Sequence, residues 1–163
     1  SLYPEATALS VSTSLIRRFF LVATQAKVYS TGALVWAVNN ISSTAVTTLS
    51  EPLITMSYKA AKEGGWPVEI EGTVDLPNNP PTIFKYSKPM LEGPGQYLGS
   101  EAPLVLRLVK GEVVEFVFQN TIALDMESKF HSWHSHGHSV WVIGTGIGIF
   151  NASRDIQNFN LVN

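Results

Sequence analysis

The chain has 163 residues, 45% apolar and 15% charged, with a net charge of -2 and no cysteine. That length supports one core and leaves two separate cores marginal, and charged residues below the usual ~25% beside an ordinary apolar fraction exclude intrinsic disorder. Eleven basic residues against thirteen acidic, with no basic run, leave no nucleic-acid footprint, and the lack of thiols excludes disulfides, cysteine-based zinc and iron–sulfur sites, cysteine nucleophiles and the thiolate of a blue copper centre within this sequence.

Ser1–Ser10 has no basic segment followed by an apolar one, so no signal peptide is read there, and the lack of an initiator Met leads us to expect a longer gene product. Phe19–Ala23 and Val113–Phe118 are among the longest apolar stretches, far short of the ~20 residues of a membrane helix, so no membrane partner is expected. Arg17–Thr24 and Leu34–Val38 are short runs rich in Val, Phe, Leu and Trp, and they predict strands. A helix is predicted over Leu53–Lys62, closed by Gly64-Gly65 and Trp66-Pro67. From Glu63 to Gly99 the density of Pro and Gly rises, which predicts a long connection with one or two short edge strands, because Pro removes a ladder donor. Strands are predicted again at Pro103–Val109 and Val113–Asn120, with Lys110-Gly111 as a hairpin turn between them, and at Ser139–Gly144. Two sequons, Asn40-Ile41-Ser42 and Asn151-Ala152-Ser153, are glycan acceptors if the chain passes through a secretory pathway.

All four histidines fall in one octapeptide, His131-Ser132-Trp133-His134-Ser135-His136-Gly137-His138. Imidazoles packed this closely repel when charged and leave costly unpaired ring nitrogens when buried neutral. A metal ion removes both problems, and imidazole suits Cu, Zn, Fe and Ni. In an extended segment His134, His136 and His138 share one face while His131, Trp133 and Ser135 share the other, so one segment can feed two metal sites. The flanks, Phe130 and Val140-Trp141-Val142-Ile143, read as a buried strand and argue against a disordered histidine-rich tract.

The run HSWHSHGHSVWVIGTGIGIF, His131–Phe150, resembles the C-terminal plastocyanin-like (cupredoxin) domain of multicopper oxidases. Trp133 and Trp141 favour the ascorbate oxidase branch, while the tail Asn151–Asn163 is similar to laccases. RRFFLVATQ (Arg17–Gln25), LVWAVNNIS (Leu34–Ser42) and GEVVEFVFQN (Gly111–Asn120) follow in the family's order, so the resemblance covers most of the chain outside Glu63–Gly99. It implies an all-β, cupredoxin-like β-sandwich of Greek-key type, incomplete at the C-terminus, with residues 1–163 forming a single partial domain. It also implies copper as cofactor: His131 as a type 1 ligand, His134 as a type 2 ligand and His136 as a type 3 ligand of a trinuclear cluster. His138 matches a position that is not usually a ligand, and Gly137 is expected to let the backbone pass close beside the cluster.

The sequence departs from the family at Ser132, where Pro is common, and at Ser135, where Leu is common. Losing a buried Leu costs on the order of 2–5 kcal/mol when nothing repacks. The family's second motif, His-Cys-His followed by His and Met, does not occur in these residues. The resulting expectation is a copper-binding fragment of an ascorbate oxidase- or laccase-like oxidoreductase, secreted and inactive as an isolated chain. Its partners would be copper ions and the missing domains of a full-length oxidase, or a complementary chain. A non-catalytic metal-binding remnant is the alternative, and the open sandwich would expose an apolar face. A zinc hydrolase fits less well, since Gly137 stands where the metallo-β-lactamase pattern needs Asp.

Overall fold

The apolar run Phe19–Ala23 becomes part of the strand with which most of the sheet pairs. In the computed structural model, which describes residues 17–28, 31–42, 52–63, 76–87, 98–101, 106 and 108–160, strand β1 spans Arg17–Val28. Phe20, Val22, Thr24 and Ala26 on one face have no solvent exposure, and Phe19 and Ala23 on the other are also buried. A strand covered on both faces reads as a continuous apolar run, which is why Phe19–Ala23 lacks polar alternation. Burying Phe20 and Val22 contributes roughly 1.5–3 kcal/mol each.

β2 (Leu34–Val38) pairs antiparallel with β1 from Ala23↔Val38 to Lys27↔Leu34. Asn39 and Asn40 then take the left-handed backbone (φ 50° and 65°) that Asn tolerates better than most residues, and β3 (Ile41–Ser42) turns back along β2. Asn39 stands in for further ladder residues. Its main-chain N–H donates to the Val22 carbonyl (2.8 Å), its Oδ1 accepts from the Val22 N–H (2.7 Å), and its Nδ2 donates to the Phe20 carbonyl (2.9 Å). The buried Thr24 hydroxyl accepts from the Asn40 N–H and donates to the Ala37 carbonyl, so it carries no desolvation penalty.

Helix α1 (Leu53–Lys62) matches the predicted range and ends in Lys59 and Lys62, cations that favour the negative end of the helix dipole. The Pro-rich connection is more structured than its composition implies. Its described part, residues 76–87, hands the Pro77 carbonyl to the Phe20 N–H (2.9 Å) and inserts Phe84 against Val22 in the core, with Tyr86 alongside. β4 (Leu98–Glu101) begins at the end of that connection. Rather than an edge, it is an internal strand, parallel to β1 at Lys27↔Leu98 and to β3 at Ile41↔Ser100. Residues 64–75 and 88–97 lie outside the described residues.

β5 (Val114–Asn120) runs parallel to β1 over Arg17↔Val114 to Ala23↔Asn120. The paired residues Arg18 and Glu115 form a two-pronged ion pair (2.6 and 3.1 Å), and Arg17 reaches Glu112 at 2.8 Å. The sheet order is β2-β3-β4-β1-β5, and a further β1–β2 pairing closes the first four strands on themselves. Lys110-Gly111 does form a turn, with Gly111 at φ 86° and the Glu112 N–H donating to the Val109 carbonyl. It leads into a strand whose ladder partner is β1, however. Leu106, Leu108 and Val109 are not in a strand, and the rest of the predicted Pro103–Val109 strand falls outside the described residues. The predicted strand at Ser139–Gly144 does not form: among the described residues no strand pairs with it, and without a ladder an apolar run stays irregular.

Among the described residues the regular elements are thus mostly strands, in one mixed sheet, with α1 as the longest helix, consistent with a fragment of the cupredoxin-like sandwich that the resemblance implies. Among the described residues no helix is long and apolar enough to cross a membrane.

Phe84→Ala should cost about 3–5 kcal/mol in urea unfolding, whereas Phe130→Ala, at a fully exposed side chain, should change stability by less than about 0.5 kcal/mol. Equal effects would refute the assignment of residues 76–87 to the core. Burial pushes the Tyr86 hydroxyl up from 10.0 to about 12. The unfolded chain therefore ionises first, and stability present below pH 10 should fall as pH rises towards 12. Tyr86→Phe should remove that component of alkaline unfolding.

Candidate metal-ligand segment

Polar side chains at the end of β5 hold the histidine segment at both ends. On the entry side Asn120 Nδ2 donates to the Lys129 carbonyl (2.7 Å), the Thr121 hydroxyl donates to the Ala23 carbonyl (2.9 Å), and Ile122 bridges to Ser128. Lys129 pairs with Asp125 and Glu127 across the same loop, and its hydrogen bond holds the Asp125 carboxyl below the usual range. On the exit side the Gln119 amide donates to the Gly148 carbonyl (3.0 Å) and accepts from the Phe150 N–H (3.1 Å). Phe150 then packs on Phe20 with ring centroids 5.6 Å apart. Both tethers therefore trace back to β1 and its neighbour.

Between these tethers the segment forms no strand, only a turn at 136–137. Side-chain stacking replaces the missing ladder. Trp133 stacks on Phe118 of β5 at 4.4 Å, and the His131 ring meets Trp36 of β2 edge-on at 4.8 Å. Such aromatic pairs contribute about 0.5–1.5 kcal/mol each beyond their buried area. His134 and His136 meet each other edge-on at 4.7 Å and are both exposed, while His131 is half-buried. His138 is exposed, with Nδ1 3.0 Å from the His136 carbonyl, a hydrogen bond when Nδ1 carries the proton.

The structure thus brings His134 and His136 together and sets His131 apart against the sheet. Among the described residues no group of three or more His, Cys, Asp or Glu side chains converges as a metal site. The donors fit copper in kind, since imidazole is a good copper ligand, but two adjacent rings are part of a coordination sphere and not a whole one.

Gly137 takes the left-handed backbone, at φ 72°, that glycine adopts most readily, and a Cβ placed there would meet nothing within 4 Å among the described residues. One expectation is corrected here. The flanks are not a buried strand: Phe130, Val140, Val142 and Ile147 are largely exposed, leaving Trp141 and Ile143 half-covered. The residues that position the segment, Trp36, Phe118, Gln119 and Asn120, were missed as site residues. A polar Gln-Asn pair closing an apolar strand was the available signal.

A family model for multicopper oxidases matches residues 75–163. An L-ascorbate oxidase of Cucumis sativus is 32% identical over 148 residues, covering 90% of this chain and 23% of that protein. Laccase-15 of Oryza sativa subsp. japonica is 34% identical over 131 residues, 77% of this chain and 21% of its own length, and Laccase-11 of Arabidopsis thaliana is 38% identical over 89 residues, 54% and 15%. The chain therefore spans less than a quarter of the length of these curated relatives. No solved structure matches it. With a family model covering more than half of the sequence and an ascorbate oxidase aligned along nearly all of it, this chain belongs to the multicopper oxidase family.

Proposed function

We propose that this stretch supplies part of the copper apparatus of an ascorbate oxidase- or laccase-like multicopper oxidase, as a single partial plastocyanin-like domain over residues 1–163 with its Pro/Gly-rich connection at about 63–99. His134 and His136 serve the trinuclear cluster as type 2 and type 3 ligands, and His131 serves the type 1 copper. The observation that carries this reading is the separation of the rings: His134 and His136 in mutual contact, exposed, with His131 on Trp36.

In the family reaction ascorbate or a diphenol is oxidised and O₂ is reduced to water, with bound copper supplying the one-electron chemistry. The part played by this chain's residues is positional. Trp133 on Phe118 and the Gln119 and Asn120 tethers fix the segment, so that His134 and His136 stay presented outward while His131 is held against the sheet. Preorganised imidazoles bind metal without the cost of ordering a loose loop. The remaining donors come from other domains of an oxidase or from a complementary chain. Extracellular residence follows from the same reading.

Because this chain has no cysteine, it should neither oxidise ascorbate or a diphenol by itself nor develop an intense blue band when loaded with copper. A strong thiolate-type absorption would overturn the reading. Copper titration of the wild type, His134→Ala and His136→Ala should show each variant weakened roughly tenfold or more. Equal affinity in all three would remove these rings from the site. A metal-binding module without electron transfer is the second reading, favoured by the presence of only two adjoining rings. It is supported if copper still binds tightly in a complex restored with all other oxidase domains yet no turnover follows.

A further inference from the structure

The two sequons sit in opposite environments. Asn40, Ile41 and Ser42 are all buried, at 9%, 7% and 2% exposure. Asn40 is also locked by its backbone: φ is 65°, its N–H donates to the fully buried Thr24 hydroxyl, and its Oδ1 is closed to solvent. With the residue only 9% exposed, a branched sugar on that side chain would have to displace the packing around Asn40 and β3.

Asn151 and Ser153 are exposed. Asn151 caps helix α2 (Ala152–Asp155) in extended backbone (φ -133°, ψ 112°), its Oδ1 accepting from the Arg154 N–H at 3.2 Å. Its own N–H donates to Asp155 Oδ2 at 2.7 Å, and the Arg154 side chain grips the same carboxylate. These contacts engage the backbone and the amide oxygen and leave Nδ2 without a hydrogen bond among the described residues.

We propose that Asn151 is an N-glycan acceptor of this protein and that the fold closes the otherwise equivalent Asn40 to modification. The inference rests on the extracellular part of the reading above, because the sugar donor is met on a secretory route. The donor class is a lipid-linked oligosaccharyl pyrophosphate. Transfer forms a bond between Asn151 Nδ2 and the anomeric carbon, breaks the bond from that carbon to the pyrophosphate oxygen, and releases one Nδ2 proton and the lipid pyrophosphate. The product remains an amide whose Oδ1 can still accept from Arg154, so the glycan and the cap coexist. The same reaction at Asn40 yields a product that cannot complete the β1–β2–β3 packing.

The test expresses the full 163-residue chain behind an added secretion signal in a glycosylating host. Supplying the route in this way separates a failure here from a failure of the copper reading. Glycopeptides are mapped on secreted chain and on the protease-resistant fraction from the cells. The expected result is one occupied site, Asn151, with its glycan lost in Asn151→Gln and in Ser153→Ala and retained in Asn40→Gln. Ser153→Ala removes the acceptor pattern while keeping the Asn151 cap, so loss of glycan there does not depend on helix stability. Native chain bearing a glycan on Asn40, or native wild type with Asn151 unoccupied, overturns the proposal.

Discussion

Strand β1 is the constraint on which the rest of the structure depends. Its backbone pairs with β5, β2 and β4, and its side chains from Phe19 to Ala26 are buried on both faces or nearly so. A strand in that position cannot slip by one residue, because a slip would exchange Phe20 and Val22 with Leu21 and break every contact at once. Arg18 opposite Glu115 adds a charge pair at the same register. Asn39 extends the control past the end of β2, since three of its hydrogen bonds land on Phe20 and Val22.

The histidine segment inherits its position from this frame without joining the sheet. Its backbone gains no ladder, and its order comes from Asn120 and Gln119 at the end of β5, from Trp133 on Phe118, and from His131 on Trp36. Its backbone turns at 136–137, with Gly137 in the left-handed region, while the His134 and His136 rings meet on the outside and His131 lies against Trp36 of the sheet. Exposed Phe130, Val140, Val142 and Ile147 line the same stretch. Larger apolar surfaces of this kind are usually covered by other protein.

Much of this was legible in the residues. Leu34–Val38 and Leu53–Lys62 appear with the boundaries their composition predicts, and β1 differs only by continuing to Val28. What failed has a common cause. Apolar alternation reports a tendency to be covered and says nothing about whether a partner strand is at hand, so Ser139–Gly144 was predicted as a strand and has no ladder among the described residues. Conversely β4, LGSE, has little apolar signal and owes its existence to lying between β1 and β3. Phe84 was hidden among prolines for a similar reason: its burial depends on long-range contact with Val22. The histidine spacing puts His134, His136 and His138 on one face of an extended segment; His134 and His136 do adjoin, but the segment is not a strand and turns at 136–137. The ligands that would complete a copper site are not local, and spacing within one segment is silent about them.

The division of the histidines into an outward pair and a sheet-bound third is tested most directly by NMR of the imidazole protons during addition of substoichiometric copper(II). Paramagnetic broadening should strike His134 and His136 together, while the His131 signals beside Trp36 stay sharp until more metal is present. Broadening of His131 first, or of all the rings in parallel, would contradict the separation on which the proposed ligand roles stand.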